Sequence, residues 1–406
     1  MRAIIVGAGL GGLATALALQ RVGITAQIYE SVPELRPLGV GIMLQPDAVG
    51  VLDRLGVLAA VRPNSVPIGE LAFFTRHGQK VWAEPRGTAA GHRWPQLGLH
   101  RGALQMALLR GVQAALPEPA VATGHRLVRW RQDAGGVTVW LADRRTGTLL
   151  AEDRADFLVA ADGIHSTVRA GLHPAEGPPL RRGAMIWRGT AETPPWLGGR
   201  TQVIIGGRQR FVAYPMRLIH GKALTNWAAR LDQAVGAETA GEDWNRLGSA
   251  ADILAHYAEW RFPWLDVPAV IAATEQVYAF PMLDRDPLPR WTEGRVTLLG
   301  DAAHPAYPFG SNGASQAILD AETLAESMEA AAGNVPAGLA AYEARRRPPT
   351  TALIHLGRAG GPASVIDRAE ERAPDGFVDL EAVLPLAERA AIVRAYRTAA
   401  GGEGEG

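Results

Sequence analysis

At three points in a chain of 406 residues a short apolar run stops at a glycine, or at a glycine–aspartate pair, and gives way to helical spacing. The first begins at the N-terminus: Ala3–Val6 reads as a strand, GAGLGG follows, Leu13–Gln20 has helical spacing, and Gln27–Glu30 reads as a second strand. Continuous apolar runs of this length are what strands buried on both faces of a parallel sheet require. Within the turn, Gly7 permits the tight bend, Gly9 lets backbone approach a pyrophosphate, and Gly12 permits close packing of helix on strand. Glu30 follows at the distance where an acid hydrogen-bonds a ribose hydroxyl. The pattern points to a dinucleotide and does not separate FAD from NAD.

The second instance is Phe157–Ala161, ending in Asp162–Gly163 and followed by a helix from about Ser166 through Arg169. The third is Val296–Leu299, ending at Gly300–Asp301, with a Pro/Gly-rich loop and then a helix starting near Gly313. Each of the two places a carboxylate at the carboxyl end of a strand, which suits a sugar or ribityl hydroxyl. The start of the third helix presents backbone N–H groups that suit an oxygen carrying negative charge. Taken singly, any of these segments is also an ordinary strand–turn–helix.

Between the motifs, Leu35–Val57 gives a Gly-rich turn and a helix starting near Pro46; the turn is either a plain loop or a place where backbone lies close to a flat ligand. Leu71–Trp82 reads as strands about the turn His77–Gly78, and His100–Leu116 as a helix with Arg101 in its first turn. A cation there opposes the helix dipole, so it is either solvated or reserved for a phosphate. Leu127–Leu141 alternates as a hairpin around Ala134–Gly136. From Arg181 to Thr274 strand-like runs alternate with Gly and Pro turns, and with 71–97 this region holds eight of the eleven Trp. Those rings either fill a small core or line an apolar cavity for a flat ligand. Val277–Met282 is expected to return to the parallel sheet, Ala337–Arg347 to be a helix, Leu380–Arg397 a surface helix, and GGEGEG disordered.

The expected architecture is therefore α/β, a Rossmann-like unit with an inserted, mostly antiparallel β-sheet. By residue, 1–70, 98–180 and 275–355 form the nucleotide unit and 71–97 and 181–274 the inserted one, with a helical segment at 356–400 and a tail at 401–406. Lys+Arg and Asp+Glu balance at 41 each, so no net field favours nucleic acid or an anionic membrane. With no cysteine there is no disulfide scaffold or thiol chemistry, which fits a reducing compartment. Glycines interrupt the apolar N-terminal run, so neither a signal peptide nor a membrane span is expected, and the chain reads as cytoplasmic. The His spacing suggests no metal site.

The stretches VGAGLGGLATALAL, VAADGIHSTVR and TLLGDAAHPAYPFGSNGASQAILDAE together resemble the single-component FAD-dependent aromatic monooxygenases, the para-hydroxybenzoate hydroxylase-like flavoproteins. RPLGVGI, WAEPRG, HRGALQM and FPMLDRDPLPRW look most similar to the branch of 5-methylphenazine-1-carboxylate 1-monooxygenases. The resemblance implies FAD, with NADH or NADPH as reductant and O2 as co-substrate. A flavin C4a-hydroperoxide would deliver oxygen to an electron-rich ring, phenazine-like and carboxylated, and the protein would have to exclude water. Carried over residue by residue, Gly7, Gly9, Gly12 and Glu30 would hold the ADP half of FAD, and Arg101 its phosphates. Asp162, with Arg169 supporting its turn, would serve FAD and the nicotinamide, Asp301 the ribityl chain, and the backbone of Gly313 and Ala314 the pyrimidine edge of the flavin. The cofactor set extends to Gly11, Ser31, Val40, Gly41 and Leu127.

Pro308, Phe309 and Gly310 would line the meeting point of substrate and flavin, with Trp187 and Met216 on the substrate. Tyr214 is either a ring-orienting group or a buried structural tyrosine. Arg188, Arg210 and Arg217 are the cations available to a carboxylated substrate, unless they are surface charges. Where some relatives acting on hydroxypyridines carry a histidine, this chain has Met43. The small aromatic substrate is the partner implied, with no nucleic acid or membrane, the chain acting as monomer or homodimer. The same fold also accommodates a flavoprotein reductase or cyclase that transfers no oxygen, or a non-catalytic flavin-binding protein.

Overall fold

A computed structural model of the chain describes residues 1–232, 246–307 and 312–399. The three strand–turn–helix segments come together in one six-stranded sheet, in the order Thr292–Glu293, Val296–Leu298, Phe157–Ala160, Arg2–Val6, Thr25–Tyr29, Val121–Ala122. Every pairing is parallel except that of the first two strands. From Arg2–Val6 the chain moves to one side to make Thr25–Tyr29, and later to the other side to make Phe157–Ala160. Such a reversal opens a crevice at the carboxyl ends of the strands. Gly7, Glu30, Asp162 and Asp301 each follow one of these ends, so a parallel register places all four on one edge.

The second large sheet has eight strands in the order Leu247–Gly248, Val277–Asp284, Leu180–Thr193, Lys222–Asp232, Arg210–Ile219, Thr201–Ile205, Glu70–Phe74, Lys80–Pro85. Only Thr201–Ile205 beside Glu70–Phe74 is parallel. The strand expected to return to the parallel sheet, Val277–Asp284, belongs instead to this one, paired with Leu180–Thr193. Its alternation explains why: Ala279 packs in the core on one face while Phe280 and Met282 pack with Ala184 and Ile186 on the other.

Between the two large sheets lies a three-stranded one, Gly41–Leu44, Gln96–His100 and Ser65–Ile68. The reading of 35–45 as a Gly-rich turn missed the strand Gly41–Leu44. Leu97 and Leu99 of the middle strand point into the large core of the six-stranded sheet. Gly98 faces the other way, and a Cβ there would lie 2.5 Å from the Pro215 carbonyl. A fourth sheet, His125–Asp133, Gly136–Asp143 and Leu149–Ala155, contains the expected hairpin with one further strand.

The long helix Gly313–Ala330 packs on Leu10–Arg21, where Gly11 leaves room for Leu299 and Ala317. The next helix, Val335–Arg358, contains the expected Ala337–Arg347 and runs on past it through Pro348 and Pro349. The Thr350 hydroxyl donates to the Arg346 and Arg347 carbonyls within that turn. Of the C-terminal helices, Leu386–Ala399 lies at the surface with Val393 buried, and Ser364–Arg372 packs inward. Val365, Ile366, Ala369 and Leu384 are buried against Leu71, Phe73, Val81 and Ile204 of the eight-stranded sheet. The tail at 401–406 lies outside the described residues.

Candidate active site

The Gly-rich turn is shaped by close approaches that only hydrogen can fill. A Cβ on Gly7, which has φ of 102°, would sit 2.3 Å from the Ala161 carbonyl oxygen, and one on Gly12 would sit 2.0 Å from the Gly7 carbonyl oxygen. Gly9 has nothing within 4 Å, so the outer side of the turn is open. Glu30 braces it: Oε2 accepts from the Ala8 N–H at 2.8 Å, and Oε1 from the Val32 N–H at 2.9 Å and the Ser31 hydroxyl at 3.1 Å. Oε2 keeps a further acceptor direction, enough for one hydroxyl.

Asp162 accepts from the Thr167 N–H at 2.8 Å through Oδ2, while the buried Oδ1 has no hydrogen-bond partner among the described residues. Burial pushes its carboxyl pKa up, with the Ser166 hydroxyl and local backbone N–H groups opposing. Arg169, almost fully buried, ties this turn to the third motif by donating to the Ala302 and Ala303 carbonyls at 3.0 and 2.9 Å. Its other donors go to both oxygens of Glu176 and to the Asp286 carbonyl. The second and third motifs are thus held in register by one guanidinium.

Asp301 and Arg101 face the same space. Both are reached by solvent and yet strongly desolvated by surrounding protein, as groups lining a cleft are and groups on a convex surface are not. Desolvation raises the Asp301 pKa, while His304 and Arg101 pull it down and Asp320 pushes it up. Desolvation lowers that of Arg101, which Asp301 opposes and Arg188 reinforces. The Arg101 backbone N–H donates to the Val40 carbonyl at 3.0 Å, fixing this helix start to the strand Gly41–Leu44. Gln45 N–H donates to Ser315 Oγ at 2.9 Å and fixes the same strand to the start of Gly313–Ala330. At that start a Cβ on Gly313 would meet nothing within 4 Å among the described residues, which leaves that side open to a ligand. The first N–H groups of a helix have no intrahelical acceptor, so they are available to one.

The turn carrying Asp301 has a buried support that its sequence did not reveal. Asp320, fully buried, accepts from the Gly300 N–H at 3.1 Å and pairs with His304 Nε2 at 2.6 Å and Arg346 Nε at 2.6 Å. Burial would raise its pKa, but the charges of His304 and Arg346 outweigh it and hold the carboxyl at about 2.

On the inner face of the eight-stranded sheet, opposite this cleft, Arg188 Nη2 donates to the Gly41 carbonyl at 2.6 Å and the guanidinium is hydrogen-bonded to the Tyr214 phenol. Asn226 Oδ1 accepts from the Gly41 N–H at 2.8 Å. Burial pushes the Tyr214 pKa up to about 12, against the pull of Arg188, so near neutral pH the group is a hydrogen-bonding phenol and not a base. Met216, Met43, Val66 and Ile68 pack around it.

A family model described as FAD binding domain matches residues 1–186 and 265–356. The phenazine 1,6-dicarboxylic acid hydroxylase PhzS of Lysobacter antibioticus is 44% identical over 361 residues, 87% of this chain and 88% of that protein. The chain belongs to the FAD-dependent aromatic hydroxylases. A 3-hydroxybenzoate 6-hydroxylase of Klebsiella oxytoca is 31% identical over 374 residues, 89% of this chain and 88% of its own. Among solved structures, Klebsiella pneumoniae HpxO complexed with FAD and uric acid superposes with a TM-score of 0.75 at 26% identity, covering 99% of this chain and 95% of that one. As an FAD-dependent monooxygenase it takes reducing equivalents from NAD(P)H and oxygen from O2, as hydroxylases of this kind do.

In this hydroxylase the residues read from sequence separate by where the fold puts them. Gly7, Gly9, Gly12, Glu30, Ser31, Val40, Gly41, Arg101, Asp162, Asp301, Gly313 and Ala314 gather along the crevice. Gly11 faces Leu299 and Ala317, and the Leu127 side chain lies in the core, so neither offers more than backbone to a ligand. Tyr214 and Met216 stand together on the inner sheet face. Trp187 does not. Alternation along its strand sends it to the far face, where it packs with Met185, Trp227 and Ala279, and the expectation that it touches substrate is corrected accordingly. Trp196, Trp227 and Trp260 lie in the same core, so these rings fill it and do not line a cavity. Arg210 is buried against Asp367 and the Gly207 carbonyl, and Arg217 is exposed, which leaves Arg188 as the cation on the inner face among the three considered. Pro308, Phe309 and Gly310 lie outside the described residues. Asn226, Asp320 and His304 were missed; nothing in their local spacing marks them.

Proposed function

We propose that this hydroxylase acts on a flat, carboxylated, phenazine-like aromatic, with the cofactor along the edge of the six-stranded sheet and the substrate between that edge and the inner face of the eight-stranded sheet. The observation that carries the reading is the cleft itself: a desolvated Arg101 and Asp301 on one wall, and Arg188, Tyr214 and two methionines on the other. The 44% identity to a hydroxylase of a phenazine dicarboxylic acid supports the ring class.

The residues fit FAD. Gly7, Gly9 and Gly12 leave backbone room for a pyrophosphate, and Arg101 supplies a cation with no ion pair among the described residues. Asp301 and the Asp162 turn offer acceptors for hydroxyls, and the Gly313–Ala314 N–H groups offer donors to a flavin edge. When bound, FAD supplies acceptance of hydride from NAD(P)H and activation of O2. The chain's own contribution is placement and dryness. Arg169 and Asp320 hold the turns that carry Asp162 and Asp301. Tyr214 donates a hydrogen bond to an oxygen or nitrogen of the ring, and Met43, Met216 and Ile68 keep water away from its face. The need for NAD(P)H and the absence of cysteine support a cytoplasmic setting, as monomer or homodimer.

The test is oxygen uptake by FAD-loaded protein with NADH or NADPH. Phenazine-1-carboxylate or phenazine-1,6-dicarboxylate should stimulate it and yield either a product heavier by one oxygen or one that has gained an oxygen and lost CO2. No stimulated uptake across phenazines, phenols and quinolines would overturn the proposal in favour of a flavoprotein that transfers no oxygen.

A further inference from the structure

Gly41 is gripped by the eight-stranded sheet at both of its backbone groups: Asn226 accepts from its N–H and Arg188 donates to its carbonyl. A Cβ at position 41 would lie 2.5 Å from Met216 Sδ and 2.6 Å from Asn226 Cβ, so the strand is seated directly on this face. The grip fixes the guanidinium of Arg188. It leaves it without a carboxylate: among the described residues its only partners are the Gly41 carbonyl and the Tyr214 phenol, and its Nε has no acceptor at all. Asn226 Nδ2, fully buried in the same cluster, also has no acceptor. Arg188 also acts on another cation, Arg101, whose pKa it lowers.

Arginines removed from water in folded proteins are ordinarily paired, because desolvating an uncompensated guanidinium is costly. Arg210, in the same sheet, follows that rule with Asp367. Arg188 departs from it, although the residue as a whole is only partly buried. A planar fork of donors held rigid beside a phenol and two methionines matches a carboxylate on a flat ring: the fork takes the two oxygens and the thioethers take the face. We propose that Arg188 is the receptor for the substrate's carboxylate, with Asn226 acting as a positioning residue through Gly41. This rests on the reading of the substrate given above, and adds the group by which the substrate is recognised and the side chain that recognises it.

The experiment uses FAD-loaded wild type, Arg188→Gln and Arg188→Lys with phenazine-1-carboxylate and its neutral isostere phenazine-1-carboxamide. Binding is read from the perturbation of the flavin absorbance, and KM and kcat from substrate-stimulated NADH oxidation. The wild type should bind the carboxylate at least tenfold more tightly than the carboxamide. Arg188→Gln should weaken carboxylate binding by about 10- to 100-fold and carboxamide binding by less than about threefold, so the preference disappears in KM. Arg188→Lys keeps the charge without the fork and should lose part of the preference; it serves as the reading if the glutamine variant does not fold. Equal wild-type affinity for the two ligands, equal weakening of both in Arg188→Gln, or an undiminished preference in Arg188→Lys would overturn the inference, and equal affinity with hydroxylation intact would leave the proposed function standing. A wild type that responds to neither compound would overturn both.

Discussion

The two walls of the cleft are built by different means. The edge of the six-stranded sheet is made of backbone, small residues and carboxylates that sit at most a few positions from a strand end. The inner face of the eight-stranded sheet is made of side chains, Arg188, Tyr214, Met216 and Asn226, taken from three antiparallel strands and closed by Gly41 from a fourth. The first wall tolerates almost no added atom, because its shape depends on contacts that a methyl group would fill. The second is limited in that way where Gly41 and Gly98 press on it, and elsewhere its side chains can be exchanged while the strands keep their register. On the proposed assignment of cofactor to the first wall and ring to the second, one chemistry applied to different substrates needs this division: the first wall keeps its shape, and the second is open to change.

The contrast breaks first at Gly12. Gly12→Ala should leave the protein with no retained flavin, since its Cβ would meet the Gly7 carbonyl at 2.0 Å; absorbance of the purified protein and FAD titration check this. Next comes the buried support. Asp320→Asn leaves His304 and Arg346 without their carboxylate, and should cost about 3–5 kcal/mol in denaturant unfolding. The same group gives a pH signature. With its folded pKa held at about 2, below the ordinary carboxylate value, Asp320 contributes stability that is present above about pH 4 and lost as pH falls towards 2. That component, about 2 kcal/mol, should be missing from the asparagine variant.

A smaller effect, opposite in sign for stability and function, is expected at Asp301. Its pKa is raised by desolvation, so in the apoprotein the carboxylate is a burden that grows as pH rises through the carboxylate range. Asp301→Asn should therefore raise the melting temperature of the apoprotein at neutral pH while weakening FAD binding by about 10- to 100-fold. The smallest effect should be that of Trp187→Phe. Its indole N–H has no partner among the described residues and its ring is on the far face, so the loss of stability should be less than about 1.5 kcal/mol and the KM for the aromatic substrate should stay within about twofold. A large KM change would mean that the far face reaches the substrate after all.

The same division explains what could be read from sequence. The Gly-rich turn, Asp162 and Asp301 were legible because their chemistry is local: a strand end, a turn and a helix start are consecutive in the chain. The antiparallel strands of the insertion were legible from alternation, but which positions meet across them was not. Residues 41, 188, 214 and 226 share no spacing, and only the register of Tyr214 with Asn226 and of Arg188 with Ala228 brings them together. Trp187 was misplaced for the related reason that a strand has two faces and a tryptophan suits either. The strand Gly41–Leu44 was hidden by glycines that read as a turn, and the helix read as Ala337–Arg347 extends over Val335–Arg358.

The grip on Gly41 has a consequence for building hybrids of this enzyme with its relatives. The eight-stranded sheet is assembled from separate stretches of chain, Glu70–Pro85, Leu180–Asp232 and Leu247–Asp284, and no single cut-and-paste exchange can carry it whole. An exchange confined to Leu180–Asp232 would nevertheless carry Arg188 and Asn226 together, and with them both halves of the joint to Gly41. A donor stretch with different residues at those two positions would bring in a new substrate wall with nothing to latch it to the cofactor's side. In such a hybrid the expected fault is leakage: NADH is consumed and peroxide released while the ring goes unhydroxylated, even though the recombinant is folded and yellow.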